Sequence, residues 1–359
     1  MSGLEKIATP FLALDLDIFD RNLERMQQSI VENGLRWRPH VKSIKTPAII
    51  DRLQAAGAEG VTCAKVSEAE VMVDAGIQDI LIANQIVSPQ AIQRLAMLNG
   101  KARVITAIDS LKNAEDLSKA AAASGVKIPV VIEVDIGLAR AGVMPGQPVV
   151  DLAGDISSLP GIEFLGVMGW EGHATRIKDV DAKFAAVKEA TEQLVNSARS
   201  CDAAGFKTEI VSCGGTGTYW MTAKCPGVTE IQAGGGVFCD IQYHDNFGVP
   251  HEYALTVWTT VCSRPNDARI VVDTGWKSMS AYPVEPKPLG LGKLKRVGLS
   301  AEHTTIELAD PADEPKIGDR IQFIVGYADS TVFLHEKIYA VQQDTVFGVW
   351  PIEARGMTT

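Results

Sequence analysis

A lysine at the end of a predicted strand is the first residue in this sequence whose type and position suggest chemistry. Lys42 stands in the run RPHVKSIK, directly after a strand-like segment over residues 35–41. Desolvation at the mouth of a sheet lowers the pKa of a lysine and frees its lone pair for Schiff-base formation. Most lysines at strand ends are only solvated, so Lys42 by itself does not establish that role.

Two further runs place polar side chains directly after predicted strands. Arg140 lies in EVDIGLARAGV, and the run GWEGH contains Trp170 and His173. This run places an aromatic ring, the carboxylate of Glu171 and an imidazole together, a combination that suits cofactor stacking and acid–base catalysis. An ordinary surface arginine and a structural histidine are the alternatives for Arg140 and His173.

Two glycine-rich turns give the strongest local signal. They read SCGGTGT over residues 212–218 and QAGGG over residues 232–236, and each follows a predicted strand. Glycines at strand ends let backbone N–H groups converge on an anion, which predicts a phosphate site, although plain tight turns have the same composition. The sequence has no GxGxxG followed by a ribose-binding acid and no G-K-[ST] loop, which disfavours nicotinamide and nucleoside triphosphate sites.

Short apolar runs alternate with longer amphipathic stretches from about residue 10 to residue 245, as in repeated βα units. Predicted strands cover residues 11–16, 35–41, 60–66, 79–84, 103–108, 130–135, 164–170, 209–215 and 229–235. This number of units suits a (β/α)8 TIM-like barrel of roughly 250 residues better than an open doubly wound sheet. All the polar runs are then expected at the rim where the barrel strands end.

The sequence pattern changes after residue 250 to alternating β-branched and aromatic runs with turn residues between them. This pattern predicts an all-β second domain. The predicted fold class is therefore α/β, with a barrel domain over residues 1–250 and a C-terminal β domain over residues 251–359.

Charge and cysteine content exclude several classes of function. The 34 Lys and Arg against 44 Asp and Glu give a net charge of −10 without basic clusters, which argues against a nucleic-acid partner. The N-terminal residues resemble neither a signal peptide nor a membrane span, so we expect a cytoplasmic protein with no membrane partner. Six widely spaced cysteines without a C-x-x-C pair predict thiols rather than disulfides or a zinc site.

Taken together, these motifs resemble the fold type III pyridoxal-phosphate enzymes, in the branch of D-threonine aldolase, 3-hydroxy-D-aspartate aldolase and eukaryotic-type D-serine dehydratase. Alanine racemase is a more distant relative. The likeness runs over nearly the whole chain, through TPFLALDLDIFDRNL, RPHVKSIK, CAKVSEAE, EVDIGLARAGV, GWEGH, SCGGTGTYW, TEIQAGGGVFCD, VVDTGWKS, LSAEH and VWPIEARG. It implies a homodimer in which each site combines the barrel of one subunit with the β domain of the other.

The resemblance also implies roles for individual residues. Lys42 matches the lysine that bonds pyridoxal phosphate, Arg140 the arginine near its phenolic oxygen, and Gln232 the partner of its ring nitrogen. Trp170 matches an aromatic residue beside the ring, and His173 a histidine near a substrate hydroxyl. The phosphate-binding turns are matched by Gly215, Thr216, Gly234 and Gly235.

Two departures from the family pattern concern a metal. The family's H-x-D or H-x-C pair in the β domain reads Tyr327-Ala328-Asp329 here, and Ile44 replaces the histidine of the K-T-H-K motif. A phenol is a poor ligand where imidazole suits first-row metals, so only Asp329 remains an ordinary ligand of that pair. A divalent metal, Mn²⁺ or Mg²⁺, is therefore in doubt, and the β-hydroxyl is left to His173 and Tyr327.

The implied activity is cleavage of a β-hydroxy D-amino acid to glycine and an aldehyde, with His173 as the base for the β-hydroxyl proton. One alternative is a dehydratase or a metal-independent racemase in which Lys42 takes the Cα proton. A racemase needs a second base, for which Tyr327 or His303 is available. The other alternative, a non-enzymatic pyridoxal-phosphate carrier with a single barrel, is disfavoured by the roughly 110 residues after position 250.

Overall fold

The computed structural model describes residues 3–359, which form two compact units. The barrel unit comprises Glu24–Lys42, Pro47–Gly234 and Gly356–Thr359. The β unit comprises the N-terminal segment up to Leu23, the short segment Ser43–Thr46 and Gly235–Arg355. Neither unit is a single continuous stretch of chain.

The strands are short and rich in β-branched residues, as the apolar runs of the sequence predict. In chain order they are β1 (Phe11–Asp15), β2 (Arg36–Trp37), β3 (Val61–Cys63), β4 (Asp79–Gln85), β5 (Arg103–Ile108), β6 (Ile128–Glu133), β7 (Ile162–Met168), β8 (Ile210–Cys213), β9 (Glu230–Ile231), β10 (Leu255–Asn266), β11 (Arg269–Val272), β12 (Lys287–Pro288), β13 (Leu294–Leu299), β14 (Thr304–Leu308), β15 (Arg320–Ile324), β16 (Lys337–Gln342) and β17 (Thr345–Pro351).

The helices follow the amphipathic stretches between the strands. They are α1 (Leu16–Ile30), α2 (Pro47–Ala55), α3 (Val66–Asp74), α4 (Pro89–Leu98), α5 (Leu111–Ser124), α6 (Gln147–Ser157), α7 (Val180–Ala203), α8 (Tyr219–Thr222) and α9 (Ala328–Thr331). Ser88, Ser110 and Asp179 cap the first turns of α4, α5 and α7 by accepting backbone N–H groups. No helix of the described chain has the length and apolar character needed to cross a membrane.

The barrel unit contains a parallel sheet of eight strands in the order β2-β9-β8-β7-β6-β5-β4-β3. Its two end strands also meet, because His40, just after β2, forms a parallel bridge with Thr62 of β3. Val41 N donates to Thr62 O at 2.8 Å, and Thr62 N donates to Pro39 O at 2.9 Å. The sheet is therefore closed, and the predicted (β/α)8 barrel is confirmed.

Apolar side chains from adjacent strands β4 to β8 fill part of the barrel interior. This cluster consists of Leu81, Ile105, Ala107, Val131, Leu165, Met168 and Ile210, each at most 4% exposed. Branched and long apolar side chains of this kind pack in layers inside such a barrel. The packing fixes the strands, and so fixes the positions at which their carboxyl ends emerge.

A buried ion pair also lies within the barrel unit. Arg38, which follows β2, donates through Nε to Glu230 Oε2 of β9 at 3.0 Å and through Nη2 to Asp79 Oδ2 of β4 at 3.0 Å. The side chain of Arg38 is 2% exposed and that of Glu230 is 0% exposed. Charges removed from water in this way are tolerated only when they are paired. The side chain of Arg38 thus joins β4 and β9 directly after β2, in addition to the backbone hydrogen bonds of the sheet.

The sheet of the β unit has the order β13-β14-β11-β10-β1-β16-β17, and β15 pairs with both β10 and β12. Its strand β1 runs antiparallel to β10 and parallel to β16. The prediction that placed this first strand in the barrel was therefore wrong. A strand followed by helix α1 has the same pattern as a βα unit, but Phe11 stacks on Trp258 and meets Tyr339 edge-on, which fixes β1 in the other sheet.

We expect Glu230→Gln to lower the free energy of unfolding by about 3 kcal/mol, because it leaves the buried guanidinium of Arg38 without its full counter-charge. Chemical denaturation of the two proteins measures the difference. Glu163→Gln, on an exposed position of β7, is the matched control and should change the same free energy by less than about 0.5 kcal/mol. Equal losses in both variants would contradict a stabilising role for the ion pair.

Candidate functional site

The predicted site residues of the barrel unit follow the carboxyl ends of five neighbouring or nearby strands. Lys42 comes after β2, Arg140 after β6, Trp170 after β7, Gly215 after β8 and Gln232 after β9. In a closed parallel barrel all these strand ends reach the same rim. The fold therefore gathers side chains that lie far apart in the sequence.

Trp170 is the residue that the others surround. The Nζ atom of Lys42 lies 5.8 Å from the centroid of the Trp170 ring, and Cζ of Arg140 lies 5.2 Å from it. Gly215 also touches the indole, since a Cβ added at Gly215 would stand 2.6 Å from Trp170 Nε1. Trp170 thus brings Lys42, Arg140 and the first glycine turn together, with the two cations within cation–π distance of its ring.

Polar contacts with the end of β6 and within the loop itself hold the loop that carries Arg140 in place. Arg140 Nη2 lies 3.7 Å from Oε1 of Glu133, the last residue of β6, and Gln85 Nε2 donates to the other oxygen of Glu133. Asp135 Oδ1 accepts backbone N–H groups of Gly137 and Ala139, which closes the loop as an Asx turn. Burial raises the pKa of Glu133, although Gln85 and Arg140 act in the opposite direction.

The turn after β8 presents backbone donors that the chain itself does not use. Across residues 3–359, no acceptor takes a hydrogen bond from the backbone N–H groups of Gly215, Thr216 and Gly217. Buried N–H groups are otherwise almost always paired, and Thr216 is only 6% exposed. Three successive open N–H groups form a concavity that suits an anion.

A second turn follows β9, the strand next to β8 in the sheet. A Cβ at Gly234 would stand 2.2 Å from the carbonyl oxygen of His40, so only glycine fits at this position. The two turns follow paired strands and lie at the same rim. Their backbone and composition fit the predicted phosphate site.

Gln232 is held by a chain of hydrogen bonds that begins at the buried ion pair. Oε1 of Glu230 accepts from Ser212 Oγ at 2.7 Å, and Ser212 Oγ accepts from Gln232 Nε2 at 3.0 Å. A carboxylate can only accept, so the single hydroxyl proton of Ser212 goes to Glu230 and the amide of Gln232 must donate. The direction of the Gln232 side chain therefore follows from the ion pair of Arg38 and Glu230.

His173 lies in a short 3-10 helix, Gly172–Arg176, directly after Trp170. Its ring rests against the loop of Arg140, because a Cβ at Gly137 would stand 2.7 Å from His173 Cε1. The residue is exposed, so its ring nitrogens are accessible to a substrate. The structure thus places His173 at the same rim as Trp170 and Arg140.

Of the predicted residues that lie in the β unit, which are Gly235, Tyr327 and Asp329, the last two form a hydrogen bond with each other. Tyr327 Oη donates to Asp329 Oδ2 at 2.9 Å, and the ring of Tyr327 meets that of Tyr243 edge-on at 5.7 Å. The neighbouring Asp240 accepts the backbone N–H groups of Ala328 and Tyr243. Burial raises the pKa of Asp240 to about 8 and raises the pKa of Tyr327 above its usual range.

These donors do not fit a divalent metal. Within the described residues, no group of three or more His, Cys, Asp or Glu side chains could hold a metal ion. Asp240 is committed through both oxygens to backbone N–H groups, and the proton of Tyr327 makes its phenol a donor toward Asp329. Mn²⁺ and Mg²⁺ prefer carboxylate, carbonyl and water oxygens, and the first-row metals also take imidazole.

Three residues without a predicted role hold the candidate side chains in place. Glu133 contacts Arg140, Ser212 contacts Gln232, and Glu171 accepts hydrogen bonds from the turn after β8. Each stands at or just after a strand end, and a polar side chain at that position is the available sequence signal. The sequence pattern does not reveal which neighbour such a side chain contacts.

The chain is similar to known proteins along nearly its whole length. The family described as “Alanine racemase, N-terminal domain” matches residues 14–241, and the one described as “Putative serine dehydratase domain” matches residues 254–341. D-threonine aldolase from an Arthrobacter species is 32% identical over 358 residues, covering 99% of this chain and 94% of the relative.

Two further proteins are similar to nearly the whole chain. 3-Hydroxy-D-aspartate aldolase from Paracoccus denitrificans is 34% identical over 369 residues, covering 98% of this chain and 93% of that protein. The crystal structure of D-threonine aldolase from Filomicrobium marinum has a TM-score of 0.95 at 35% identity, covering 99% of this chain and 97% of that chain.

The raised pKa of Glu133 predicts a pH-dependent stability. A carboxyl whose pKa is higher in the folded protein stabilises the fold fully below its ordinary pKa of 4.5 and loses that contribution as the pH rises through the folded value. We therefore expect the unfolding free energy of the native protein to fall, relative to Glu133→Gln, as the pH rises from 4.5 through the raised pKa of Glu133.

Urea denaturation of both proteins across this pH range measures the effect. Glu163→Gln serves as the control, because the exposed Glu163 should leave the pH dependence unchanged. A constant difference between the native protein and Glu133→Gln at all pH values would show that burial does not perturb Glu133.

Proposed function

The chain belongs to the alanine racemase-like, fold type III family of pyridoxal-phosphate enzymes, and from that premise we propose that it cleaves a β-hydroxy D-amino acid to glycine and an aldehyde. The predicted class, a pyridoxal-phosphate-dependent aldolase, is confirmed by the D-threonine and 3-hydroxy-D-aspartate aldolases that match nearly the full chain. The observation that carries the proposal is the position of Lys42 over Trp170, beside the open N–H groups of residues 215–217.

The residues at the rim of the barrel fit pyridoxal phosphate, which the family implies. We assign its carbonyl carbon to the amine of Lys42, its phenolic oxygen to Arg140, its ring nitrogen to Gln232 and a position beside its ring to Trp170. We assign its phosphate to the turns that contain Gly215, Thr216, Gly234 and Gly235. When bound, the cofactor supplies an electron sink for the pair left on Cα as the Cα–Cβ bond breaks.

His173 is the base that we assign to the β-hydroxyl of the substrate. A ring nitrogen of His173 takes the hydroxyl proton as the substrate oxygen becomes the carbonyl of the aldehyde. Imidazole suits this step because its ordinary pKa lies near neutral pH. The packing of the ring against Gly137 supports the role, since it holds His173 on the side of Arg140 and Trp170.

We propose that the reaction needs no divalent metal. The hydrogen bond from Tyr327 to Asp329 supports this, because the phenol directs its proton, and not a lone pair, at the one carboxylate of the pair. With its proton donated to Asp329, the phenol of Tyr327 offers the substrate an accepting oxygen instead of a coordinated ion. Cleavage tolerates the replacement of a metal ion by a phenol better than dehydration does, because a departing hydroxide is normally helped by a Lewis acid.

We propose that the enzyme works as a homodimer with shared active sites. The β unit exposes large apolar side chains, with Tyr282 at 78% and Phe333 at 42% exposure. Ser330 Oγ donates to the carbonyl oxygen of Tyr282, so the segments that carry Tyr282 and Phe333 lie close together. Clustered apolar exposure of this kind typically marks a protein interface.

We also propose a cytoplasmic location. All six cysteines are thiols, and five of them are buried. Disulfides form and persist in oxidising compartments and are rare in the cytosol. The thiols therefore support a reducing compartment.

Product analysis tests the proposed reaction. The purified protein is incubated with D-threonine, D-phenylserine or D-3-hydroxyaspartate, once with Mn²⁺ and once with a chelator. We expect glycine and an aldehyde under both conditions, because Tyr327 and Asp329 do not form a metal site. Release of ammonia and an oxo acid would indicate a dehydratase, and inversion at Cα a racemase. Activity that disappears in chelator and returns with Mn²⁺ would refute metal independence.

Substitution of the proposed base gives a second test. We expect His173→Asn to lower kcat by about 10² to 10⁴-fold, the usual contribution of a positioned general base. His303→Asn is the matched control, because His303 is an exposed histidine of the β unit. Steady-state kinetics with the best substrate measures both variants. A large loss in His303→Asn with normal activity in His173→Asn would reverse the assignment.

A further inference from the structure

We propose that Glu171 is a positioning residue that shapes the turn after β8 for a phosphate group, so that its carboxylate controls how strongly the enzyme prefers the phosphorylated cofactor. This inference rests on the proposed function. Glu171 lies between Trp170 and His173 but points away from solvent, with 0% of its surface exposed. Its role therefore differs from those of its two neighbours at the rim.

The contacts of Glu171 lead to one segment of chain. Its Oε1 accepts from the hydroxyls of Thr218 and Thr222 at 2.6 Å each, and its Oε2 accepts from Gly214 N at 3.3 Å. These donors stand before and after the residues 215–217 whose N–H groups are open. Glu171 thus holds the turn at both ends.

The burial of this carboxylate makes the contacts obligatory. A carboxylate without hydrogen-bond donors is costly away from water, and the partners of Glu171 are two hydroxyls and one backbone N–H rather than a cation. Hydrogen bonds to a charged group are worth about twice those between neutral groups. A fully buried acid held by neutral donors therefore constrains the backbone of this turn more strongly than a neutral side chain would.

The constraint determines which N–H groups of the turn remain available. Thr218 N and Tyr219 N both donate to the carbonyl oxygen of Gly215, at 3.0 and 2.9 Å. That carbonyl is turned toward the start of α8, so the N–H of Thr216, which belongs to the same planar trans peptide group, faces the other way. Because Glu171 anchors Thr218 through its hydroxyl, it preserves this arrangement before any ligand arrives.

A positioning role and a purely electrostatic role of Glu171 predict opposite changes in phosphate binding when its charge is removed. If Glu171 acted only through its charge, Glu171→Gln would strengthen phosphate binding, because a nearby negative charge repels an anion. If Glu171 acts by holding the turn, the same variant weakens binding, because glutamine has one accepting oxygen where the carboxylate has two, so either the two threonine hydroxyls or Gly214 N lose their acceptor. The sign of the change therefore separates the two accounts.

The experiment compares two probes on the full-length apoprotein. Dissociation constants for pyridoxal phosphate and for pyridoxal are measured by absorbance titration in the native protein, Glu171→Gln and Thr218→Val. We expect the constant for pyridoxal phosphate to rise about tenfold in both variants, while that for pyridoxal changes by less than about twofold. Thr218→Ser keeps the hydroxyl and should restore native binding.

Two controls separate this effect from general loss of packing. Thr191→Val removes a buried threonine hydroxyl that donates to backbone carbonyls of α7, and Glu68→Gln changes another buried acid of the barrel unit. Both should leave the ratio of the two constants unchanged. If Glu171→Gln does not fold, Thr218→Val with its serine rescue decides the question.

Each result has a definite meaning. An unchanged or lower dissociation constant for pyridoxal phosphate in Glu171→Gln and Thr218→Val overturns the positioning role and leaves the proposed function intact. Equal weakening of both probes also overturns it, because the effect would then not concern the phosphate. A native protein that binds no pyridoxal phosphate overturns the proposed function together with this inference.

Discussion

Closure of the barrel is the constraint on which the rest of the barrel unit depends, and Arg38 stands at its seam. The guanidinium joins Glu230 of β9 and Asp79 of β4 directly after β2, where the backbone bridge from His40 to Thr62 completes the ring of strands. A buried ion pair is a poor source of stability compared with apolar packing. Its value here is geometric, because closure brings the carboxyl end of every strand to one rim.

The same ion pair reaches the site through polar side chains. From Glu230 the hydrogen bonds continue through Ser212 to Gln232, so a residue at the rim is oriented by a charge in the interior. Glu133 supports the loop of Arg140 in a similar way. Buried acids therefore hold Gln232 and the loop of Arg140 from within, in addition to the contacts that Lys42 and Arg140 make with Trp170.

The barrel and most of its rim were predictable because βα units have a strong periodic signal and because barrel sites lie at strand ends. The sheet that β1 joins was not predictable, since its partners β10 and β16 are distant in sequence and the local pattern is the same for either sheet. The supporting contacts of the acids Glu133 and Glu171 were not predicted, for another reason. Burial and hydrogen-bond partners depend on tertiary contacts, which residue type and spacing do not encode.

The pair of Tyr327 and Asp329 connects the departure from the family pattern with the choice of reaction. A phenol that donates to a carboxylate offers a substrate hydroxyl an accepting oxygen but no coordinated charge. In cleavage the β-oxygen gives up a proton and becomes a neutral carbonyl, so hydrogen bonding and a base such as His173 meet its needs. In dehydration the same oxygen leaves with the bonding electrons, and a Lewis acid is the usual means of stabilising that charge. On the roles proposed for Tyr327 and His173, these side chains thus favour carbon–carbon cleavage over loss of the hydroxyl group.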